Sequence, residues 1–186
     1  MDFYEVNEKR RTIRKFKAPA TEEQLGRIIK EGTKAPSPRN TQGWEFVVVD
    51  DPKLIEEISE IKYVLNRENK PRGEAVPPEL EEAAQRQKDT FQNASIVLVY
   101  HPDEAAHAAG AWCCIQNMLL AAVTEGLGSK ISYFRGEAVE KINSMVKAPE
   151  GMTLAAAIHF GVPGEEPGPR SLRPEGSWLH RNQFRA

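Results

Sequence analysis

A long apolar run near the middle of the chain constrains its fold more than any other feature. Residues 105–124 read AAHAAGAWCCIQNMLLAAVT, and a helix of this sequence is apolar almost all round, well beyond one amphipathic face. The run is long enough to cross a membrane, but His107, Gln116 and Asn117 would be costly facing lipid. We interpret it as a buried core helix whose second side is covered by a second copy of the chain, in a homodimer.

Length and composition indicate one globular domain. The 186 residues fit a single domain spanning 1–186, and 40% hydrophobic with 28% charged residues is a globular balance. The net charge of −2 provides no overall positive field for nucleic acid or an anionic membrane. Cys113 and Cys114 are adjacent, so they cannot cross-link distant segments, and the amino terminus lacks the apolar run of a signal peptide. We therefore expect a cytoplasmic protein that binds neither nucleic acid nor membrane.

Helical and strand patterns alternate along the chain and predict an α+β fold. Thr21 and Gln24 have capping-box spacing, Asp51 can start a helix, Asp103 can cap the long apolar helix and Gly126 can end it. The early helices do not follow a strict βαβ rhythm, so we expect a sheet flanked by helices rather than a doubly wound fold. The predicted helices are 2–10, 22–32, 52–61, a segment from residue 79, 105–124 and 137–146; the predicted strands are 46–49, 96–100, 129–133 and 154–160; and 62–78 is predicted to be a long surface loop.

A strongly basic segment lies between the first two predicted helices. Residues 9–17 read KRRTIRKFK and contain six cations in nine positions. Arginine side chains bind phosphate oxygens in a bidentate manner, and Thr12 can add a hydroxyl donor. The segment is compatible with a phosphate site, and equally with a solvated basic connector or a nucleic-acid patch.

The segment APSPRNTQGW, residues 35–44, joins a helix to a strand, where ligands commonly lie in layered α/β proteins. Two prolines stiffen it, and Ser37, Asn40 and Gln42 offer both donors and acceptors, as a ring with carbonyl and N–H groups requires. An ordinary turn explains the same residues.

Familiar catalytic motifs are missing from the sequence. It contains no P-loop, GxGxxG, HExxH or GxSxG pattern, and its four histidines lack metal-ligand spacing. No acid, base or nucleophile stands out, so we predict no metal and no catalytic side chain. An enzyme with these residues needs an organic cofactor to supply the chemistry.

Four segments in order, RRTIRKF, APSPRNTQGWEFVVV, AWCCIQNMLLAAVTEGLGS and GVPGEEPGPRSLRP, resemble the nitroreductase family of FMN enzymes. Together they cover nearly the whole chain. The resemblance implies a three-layer α+β sandwich with a central mixed sheet flanked by helices, in an intertwined homodimer. It also implies one FMN in each of two clefts at the subunit interface, with both subunits contributing to each site.

The resemblance also implies which residues hold the flavin. One set would bind its phosphate and ring edge, a second would reach it from the partner subunit, and a third would face its reactive nitrogen, with Ser132 as a donor that tunes it. These sets are Arg10, Arg11, Thr12 and Arg14; Pro36, Ser37, Pro38 and Asn40, with Gln42 just behind; and Ile131, Ser132 and Tyr133.

Two departures from the family pattern concern the flavin site. Arg170 fits the basic tail of the family, but Leu172 occupies the next expected basic place, so either Arg170 or Arg173 is expected at the phosphate. Phe134 stands where the family often has glycine. The stretch 62–91, with Gln87 as a polar flavin contact, would shape the substrate pocket.

The implied reaction is a ping-pong transfer of hydride. NADH or NADPH reduces FMN, leaves, and is replaced by a small-molecule acceptor such as a nitroaromatic or a quinone. Two other readings remain open: a related flavin reaction, either reductive dehalogenation or flavin fragmentation, and a flavin-binding redox sensor without significant turnover.

Overall fold

The computed structural model describes residues 1–68, 75–174 and 176–184. Six helices and five strands alternate along these residues, with a short 3-10 turn at Pro38–Asn40. In chain order they are α1 (Phe3–Lys9), β1 (Phe16–Pro19), α2 (Glu22–Gly32), β2 (Glu45–Val49), α3 (Pro52–Arg67), α4 (Pro78–Asp89), β3 (Ser95–Pro102), α5 (Ala105–Thr124), β4 (Gly128–Ser132), α6 (Glu137–Val146) and β5 (Met152–Pro163).

The sheet is organised around β5. This strand pairs with β3 and then β1 along one edge, β3 at residues 152–160 and β1 at residues 161–163, and with β4 along the other edge; β2 lies beyond β3. All four pairings are antiparallel, and the described residues add one parallel pairing, an isolated bridge between Thr12 and Ser129. The predicted mixed sheet is therefore wrong for the described strands, because each strand runs opposite to every strand that it pairs with.

Helices cover both faces of the sheet. Successive side chains of a strand point to opposite faces, so β3 contributes to two separate cores. Val97 and Val99 pack with α2 and α5, whereas Ile96 and Leu98 pack with α3 and α6. This arrangement confirms the predicted α+β fold with helices on both sides of a central sheet.

Two of the predicted helix caps are present and one is not. The Thr21 hydroxyl accepts a hydrogen bond from the Gln24 N–H at 3.2 Å, and an Asp51 carboxylate oxygen accepts one from the Lys53 N–H at 2.9 Å. The prediction that Asp103 caps α5 is wrong, because Glu104 occupies the cap position and makes no side-chain cap bond. Asp103 instead belongs to the turn after β3, where its N–H donates to the Gly151 carbonyl at 2.9 Å.

Two segments differ from the sequence prediction. The loop predicted over 62–78 is shorter, because α3 continues to Arg67 with Lys62 and Leu65 on its buried side. Pro71 and Gly73, part of the same predicted loop, lie outside the described residues. Strand β1 was not predicted, since Phe16 is its single buried residue and the three after it are exposed.

Helix α5 is long and apolar enough to cross a membrane by length and composition alone. In the fold it packs against α2 and the sheet, with Cys114, Met118 and Ala122 fully buried. The predicted core helix is therefore confirmed for this face. On the other face Cys113 is exposed and Trp112 is 40% exposed, so the single chain leaves that face uncovered.

Candidate functional site

The backbone of the basic segment 10–14 is fixed against the start of β4. Thr12 forms the parallel bridge with Ser129, and the Ile13 N–H donates to the Ser129 carbonyl at 3.0 Å. Gly128 allows this approach: a Cβ at that position would lie 2.6 Å from Cγ1 of Ile13. The backbone of the segment is thus held in place while its arginine side chains project away from it.

The carboxyl-terminal tail is attached to the same segment by Arg170. One guanidinium nitrogen of Arg170 donates to the carbonyls of Asn7 and Glu8, both at 3.1 Å, and of Arg10 at 2.7 Å. These carbonyls lie at the end of α1, where helical partners run out and a cation is favourable. Burial, and then the nearby Arg170 and Arg11, lower the pKa of Arg10. The arginines therefore repel one another, and an anion among them relieves that repulsion.

Two adjoining cavities open onto this cluster and share Arg10, Thr12 and Arg14. The smaller, about 270 Å³, reaches from these residues to α4, α5 and β4. The larger, about 560 Å³, runs along the carboxyl-terminal tail. The smaller is completed by Gln87, Leu119, Ser129, Lys130 and Ile131, and the larger by Arg11, Glu165, Glu166, Pro167, Gly168, Arg170 and Leu172.

The donors around these cavities fit an organic phosphate. Several guanidinium groups and the Thr12 hydroxyl converge where a phosphate would accept hydrogen bonds. Glu165, which also lines the larger cavity, accepts a hydrogen bond from the Arg14 N–H at 2.5 Å. The amide of Gln87 and the backbone of β4 line the smaller cavity, where a ring bearing both donors and acceptors would find partners.

The structure brings together a large part of the sequence-predicted site. Cavity-lining positions are occupied by Arg10, Arg11, Thr12, Arg14, Gln87, Ile131 and Arg170. Arg173 is not among them; it donates to the Ser177 carbonyl at 2.9 Å. Leu172, which stands where a basic residue was expected, lines the larger cavity in its place.

Ser132 and Tyr133 line neither of the two cavities. The Ser132 side chain is 1% exposed and hydrogen-bonds within the protein, so its hydroxyl does not face either cavity. The hydroxyl is engaged inside the protein, and a flavin-tuning role for Ser132 stays a prediction. Tyr133 is 56% exposed and lines neither cavity.

The loop 36–42 lies apart from the basic segment in the single chain. The Ser37 hydroxyl accepts a hydrogen bond from the Gln42 N–H at 2.9 Å. Arg39, Asn40 and Gln42 all have positive φ, at 50°, 56° and 49°, which is uncommon for residues other than glycine. Neither cavity contains Pro36, Ser37, Pro38, Asn40 or Gln42. One chain therefore brings together only part of the site that the resemblance implies.

Sequence reasoning missed a buried polar chain beside the smaller cavity. The Lys130 amine donates to the Ser132 hydroxyl oxygen at 2.7 Å, and that oxygen lies 2.8 Å from Nε2 of His159. Nδ1 of His159 lies 3.0 Å from the Thr90 carbonyl, which only accepts, so Nδ1 carries the proton and Nε2 accepts from Ser132. All four residues are buried, and every bond in the chain points the same way.

Two members of this hydrogen-bonded set, Lys130 and His159, have strongly shifted pKa values. Burial, followed by Lys62 and Arg14, lowers the pKa of Lys130 to about 7. Burial, followed by Lys130, lowers the pKa of His159 well below its usual value, so His159 is neutral. A lysine between Ser129 and Ile131 gives no sequence signal of this kind, since lysines in strands usually reach solvent.

Lys62 extends the positive surroundings from the side of α3. Its amine donates to the Tyr133 carbonyl at 2.9 Å and lies 5.4 Å from the centre of the Phe134 ring. Burial, followed by Arg135, lowers the pKa of Lys62. Phe134, the residue that departs from the family glycine, thus packs beside a buried cation.

Most of the chain is similar to proteins of one known family. The model of the nitroreductase family matches residues 8–162. An iodotyrosine deiodinase of Thermotoga neapolitana is 29% identical over 180 residues, covering 92% of this chain and 94% of that protein. An NADH dehydrogenase of Thermus thermophilus is 26% identical over 184 residues, covering 89% of each chain.

A solved structure extends the likeness to three dimensions. Oxidised iodotyrosine deiodinase bound to FMN and 3-iodo-L-tyrosine superposes with a TM-score of 0.79 at 26% identity, over 97% of this chain and 99% of that one. The family match and the superposition therefore each cover most of the chain, including the basic segment. The chain belongs to the nitroreductase family of flavin oxidoreductases.

Proposed function

We propose that this protein holds FMN in the two adjoining cavities and passes hydride from NADH or NADPH to an electron-poor small molecule. The observation that carries the proposal is the convergence of Arg10, Thr12 and Arg14 on both cavities, with Arg170 closing the larger one. A phosphate among these guanidiniums offsets their mutual repulsion, and the rest of the cofactor extends toward Gln87 and β4. Relatives of known structure support this choice of cofactor, since the deiodinase structure contains FMN.

The residues of the chain bind, orient and shield, while bound FMN supplies the hydride chemistry. Arg10, Arg11 and Arg14 hold the anionic end of the cofactor, and Thr12 adds a hydroxyl donor. Gln87 and the backbone near Ile131 orient the ring. Leu119, at the apolar end of the smaller cavity, excludes water from one side. The nicotinamide and the acceptor then use the same opening in turn, in a ping-pong order.

A homodimer completes this site in the proposal. The loop with Ser37 and Asn40 lines neither cavity of its own chain, and the exposed face of α5 beside Trp112 is apolar. Burying that face against a second copy accounts for both observations, because the partner can then present its loop to the cofactor. The strained backbone at Asn40 is consistent with a loop shaped for contact rather than for local stability.

The acceptor is the open part of the proposal. A nitroaromatic or a quinone is the first choice, as the family of the chain suggests. Reductive dehalogenation is the second, because a deiodinase is similar over 92% of the chain and a deiodinase structure superposes with a TM-score of 0.79. Both reactions need the same cofactor and the same cationic cluster.

The first experiment is an absorbance spectrum of the purified protein from about 300 to 550 nm, before and after anaerobic addition of NADH or NADPH. Oxidised flavin bands that bleach with the nicotinamide are the expected result. A protein that cannot be reconstituted with FMN contradicts the proposal outright. Flavin that binds but is never reduced by either nicotinamide restricts the protein to cofactor binding and contradicts the hydride transfer.

Acceptors are then compared on the reduced holoprotein. Equal amounts of a nitroaromatic, a quinone and 3-iodotyrosine are added anaerobically, and the rate of flavin reoxidation is measured for each. Fast reoxidation by the first two with no iodide release supports the reductase reaction. Iodide release at a comparable rate supports dehalogenation. Reoxidation by none of them favours a redox sensor without significant turnover.

A further inference from the structure

Lys130 is a buried lysine for which the packing of β4 gives no reason. It lies on β4 with 4% of its surface exposed, and it lines the smaller cavity together with Arg10, Arg14 and Gln87. Among the described residues, its amine has one hydrogen-bond acceptor, the Ser132 hydroxyl at 2.7 Å. A charged amine has three hydrogens to donate, so its protonated form is short of acceptors here.

The two charged side chains that lower the pKa of Lys130 are both positive, and its histidine neighbour is neutral. Arg14 approaches from the basic segment and Lys62 from α3, and both disfavour a charge on Lys130. His159, on the neighbouring strand β5, is held neutral by burial, followed by the nearby Lys130, which together lower its pKa well below the usual value. Within the described residues no carboxylate lies within 4.0 Å of the Lys130 amine. The missing negative charge must therefore come from a ligand if Lys130 is to carry a proton stably.

Ser132 and His159 keep the amine in this position. The Ser132 hydroxyl donates a hydrogen bond to Nε2 of His159. The lone pairs of its oxygen are therefore free to accept from Lys130. The Thr90 carbonyl fixes the ring of His159 and lies at the end of α4, the helix that carries Gln87. One rigid set of hydrogen bonds thus links the amine to two walls of the cavity.

We propose that Lys130 is a proton-exchanging residue of the cofactor cavity, a neutral amine when the cavity is empty and an ammonium when an anionic group of the cofactor occupies it. This inference rests on the proposed function, since it takes FMN as the occupant. The proton comes from solvent, and no covalent bond other than N–H forms. Two parts of the cofactor can supply the negative charge: the phosphate, or the ring after it has gained two electrons and one proton.

The first arm of the test measures proton uptake when oxidised FMN binds to the protein freed of cofactor. At pH 8 the phosphate is already a dianion, since its second pKa is about 6, so it releases no proton of its own. Calorimetry in two buffers of different ionisation enthalpy gives the number of protons taken up. If the phosphate is the source of charge, FMN binding takes up close to one proton and riboflavin binding takes up none. Uptake that is equal for FMN and riboflavin overturns the assignment to the phosphate.

The second arm measures proton uptake on reduction. Dithionite donates two electrons to the bound cofactor, and the midpoint potential is followed against pH from about 7 to 9. If the reduced ring is the source, the wild-type protein takes up two protons per two electrons and Lys130→Met takes up one, which halves the slope of potential against pH. Lys53→Met is the matched control, because Lys53 lies on the surface of α3 with 84% of its side chain exposed.

A direct measurement guards against a Lys130→Met variant that fails to fold. Wild-type protein labelled at lysine Cε is titrated by NMR without cofactor and with FMN, oxidised and reduced. We expect one lysine to titrate near neutrality without cofactor and to remain protonated in at least one loaded state. A Lys130 resonance that titrates identically in all three states, or proton uptake unchanged by Lys130→Met in both arms, overturns the inference. If FMN does not bind at all, the proposed function fails instead, so the two failures are distinguishable.

Discussion

A guanidinium nitrogen of Arg170 lies 2.7 Å from the carbonyl oxygen of Arg10, although 160 positions separate the two residues in the chain. The tail thereby reaches the basic segment and supplies a further cation to the larger cavity. The Arg170 side chain thus has two roles: it holds the tail against the basic segment, and it is part of the candidate phosphate site.

We expect Arg170→Gln to weaken FMN binding by about ten- to a hundredfold, the size of a lost charge-assisted hydrogen bond. The variant loses both a cation at the cavity and the bonds that hold the tail to α1. The dissociation constant is measured by quenching of flavin fluorescence on addition of the cofactor-free protein.

The matched control is Arg173→Gln, which removes the same charge three residues later. Arg173 donates to the Ser177 carbonyl and lines neither cavity. We expect the dissociation constant for FMN to change by less than about threefold, because only a long-range attraction screened by salt is lost. An equal loss in both variants would show that total charge, rather than the Arg170 contacts, determines the affinity.

Lys130 gives the cofactor-free protein a specific pH dependence of stability. Its pKa is about 7 in the folded protein, below the ordinary value of 10.5, so between these values the unfolded chain holds more protons. The contribution of this residue to the free energy of unfolding therefore rises with pH from about 7 upward, by at most about 1.4 kcal/mol per pH unit. Below pH 7 both states are protonated and the cost of burial is fully present.

We expect Lys130→Met to remove this slope. Urea unfolding of the cofactor-free wild type and variant is measured between pH 6 and 9, where the variant's stability advantage is largest at pH 6 to 7 and shrinks toward pH 9. The difference between the two proteins cancels the titrations that the substitution leaves unchanged; His159 is not among them, because Lys130 lowers its pKa. A difference that stays constant over this range would mean that Lys130 remains charged in the folded protein.

Two glycine-to-alanine substitutions are expected to act in opposite directions. In Gly128→Ala the new Cβ meets Ile13 at 2.6 Å and pushes the basic segment away from β4, which costs about 1–3 kcal/mol and weakens FMN binding. In Gly26→Ala nothing lies within 4 Å of the new Cβ, and a helix interior gains about 0.5–1 kcal/mol from the change. Thermal unfolding and FMN titration of both variants check the two signs.

Mixed dimers test whether the loop 36–42 acts on the partner's cofactor. Arg14→Gln and Asn40→Ala are expected to impair FMN binding separately. When differently tagged variants are refolded together and the mixed dimer is isolated, one of its two sites combines the intact segment of one subunit with the intact loop of the other. We expect half of the wild-type FMN content to return. No recovery would place both elements in the site of a single chain.

The helices of this protein were largely readable from sequence because their signals are local. The capping box at Thr21, the cap at Asp51 and the stop at Gly126 each act within a few residues of the helix end. Strand partners are not local, so the antiparallel arrangement of β3, β4 and β5 could not be derived from periodicity. Strand β1 escaped notice because an edge strand with one buried residue resembles a loop.

The residues of the site also differ in whether a local sequence signal identifies them. Arginines clustered in sequence, such as Arg10 and Arg14, were identified together since their spacing alone brings them to one place. Lys130, Ser132 and His159 come together only after β4 has paired with β5, and the pKa of Lys130 depends on that burial. Sequence reasoning accordingly identified the arginines that line the two cavities and missed the buried polar residues Lys130, Ser132 and His159.

The central position of β5 also determines when this site can form. The basic segment is made before β5, which is the last of the described strands along the chain and pairs with β1, β3 and β4. Until it emerges, His159 is absent and β4 has no strand to pair with. A nascent chain therefore carries an incomplete site until β5 has been made, and it becomes able to bind its cofactor only after β4 has paired with β5.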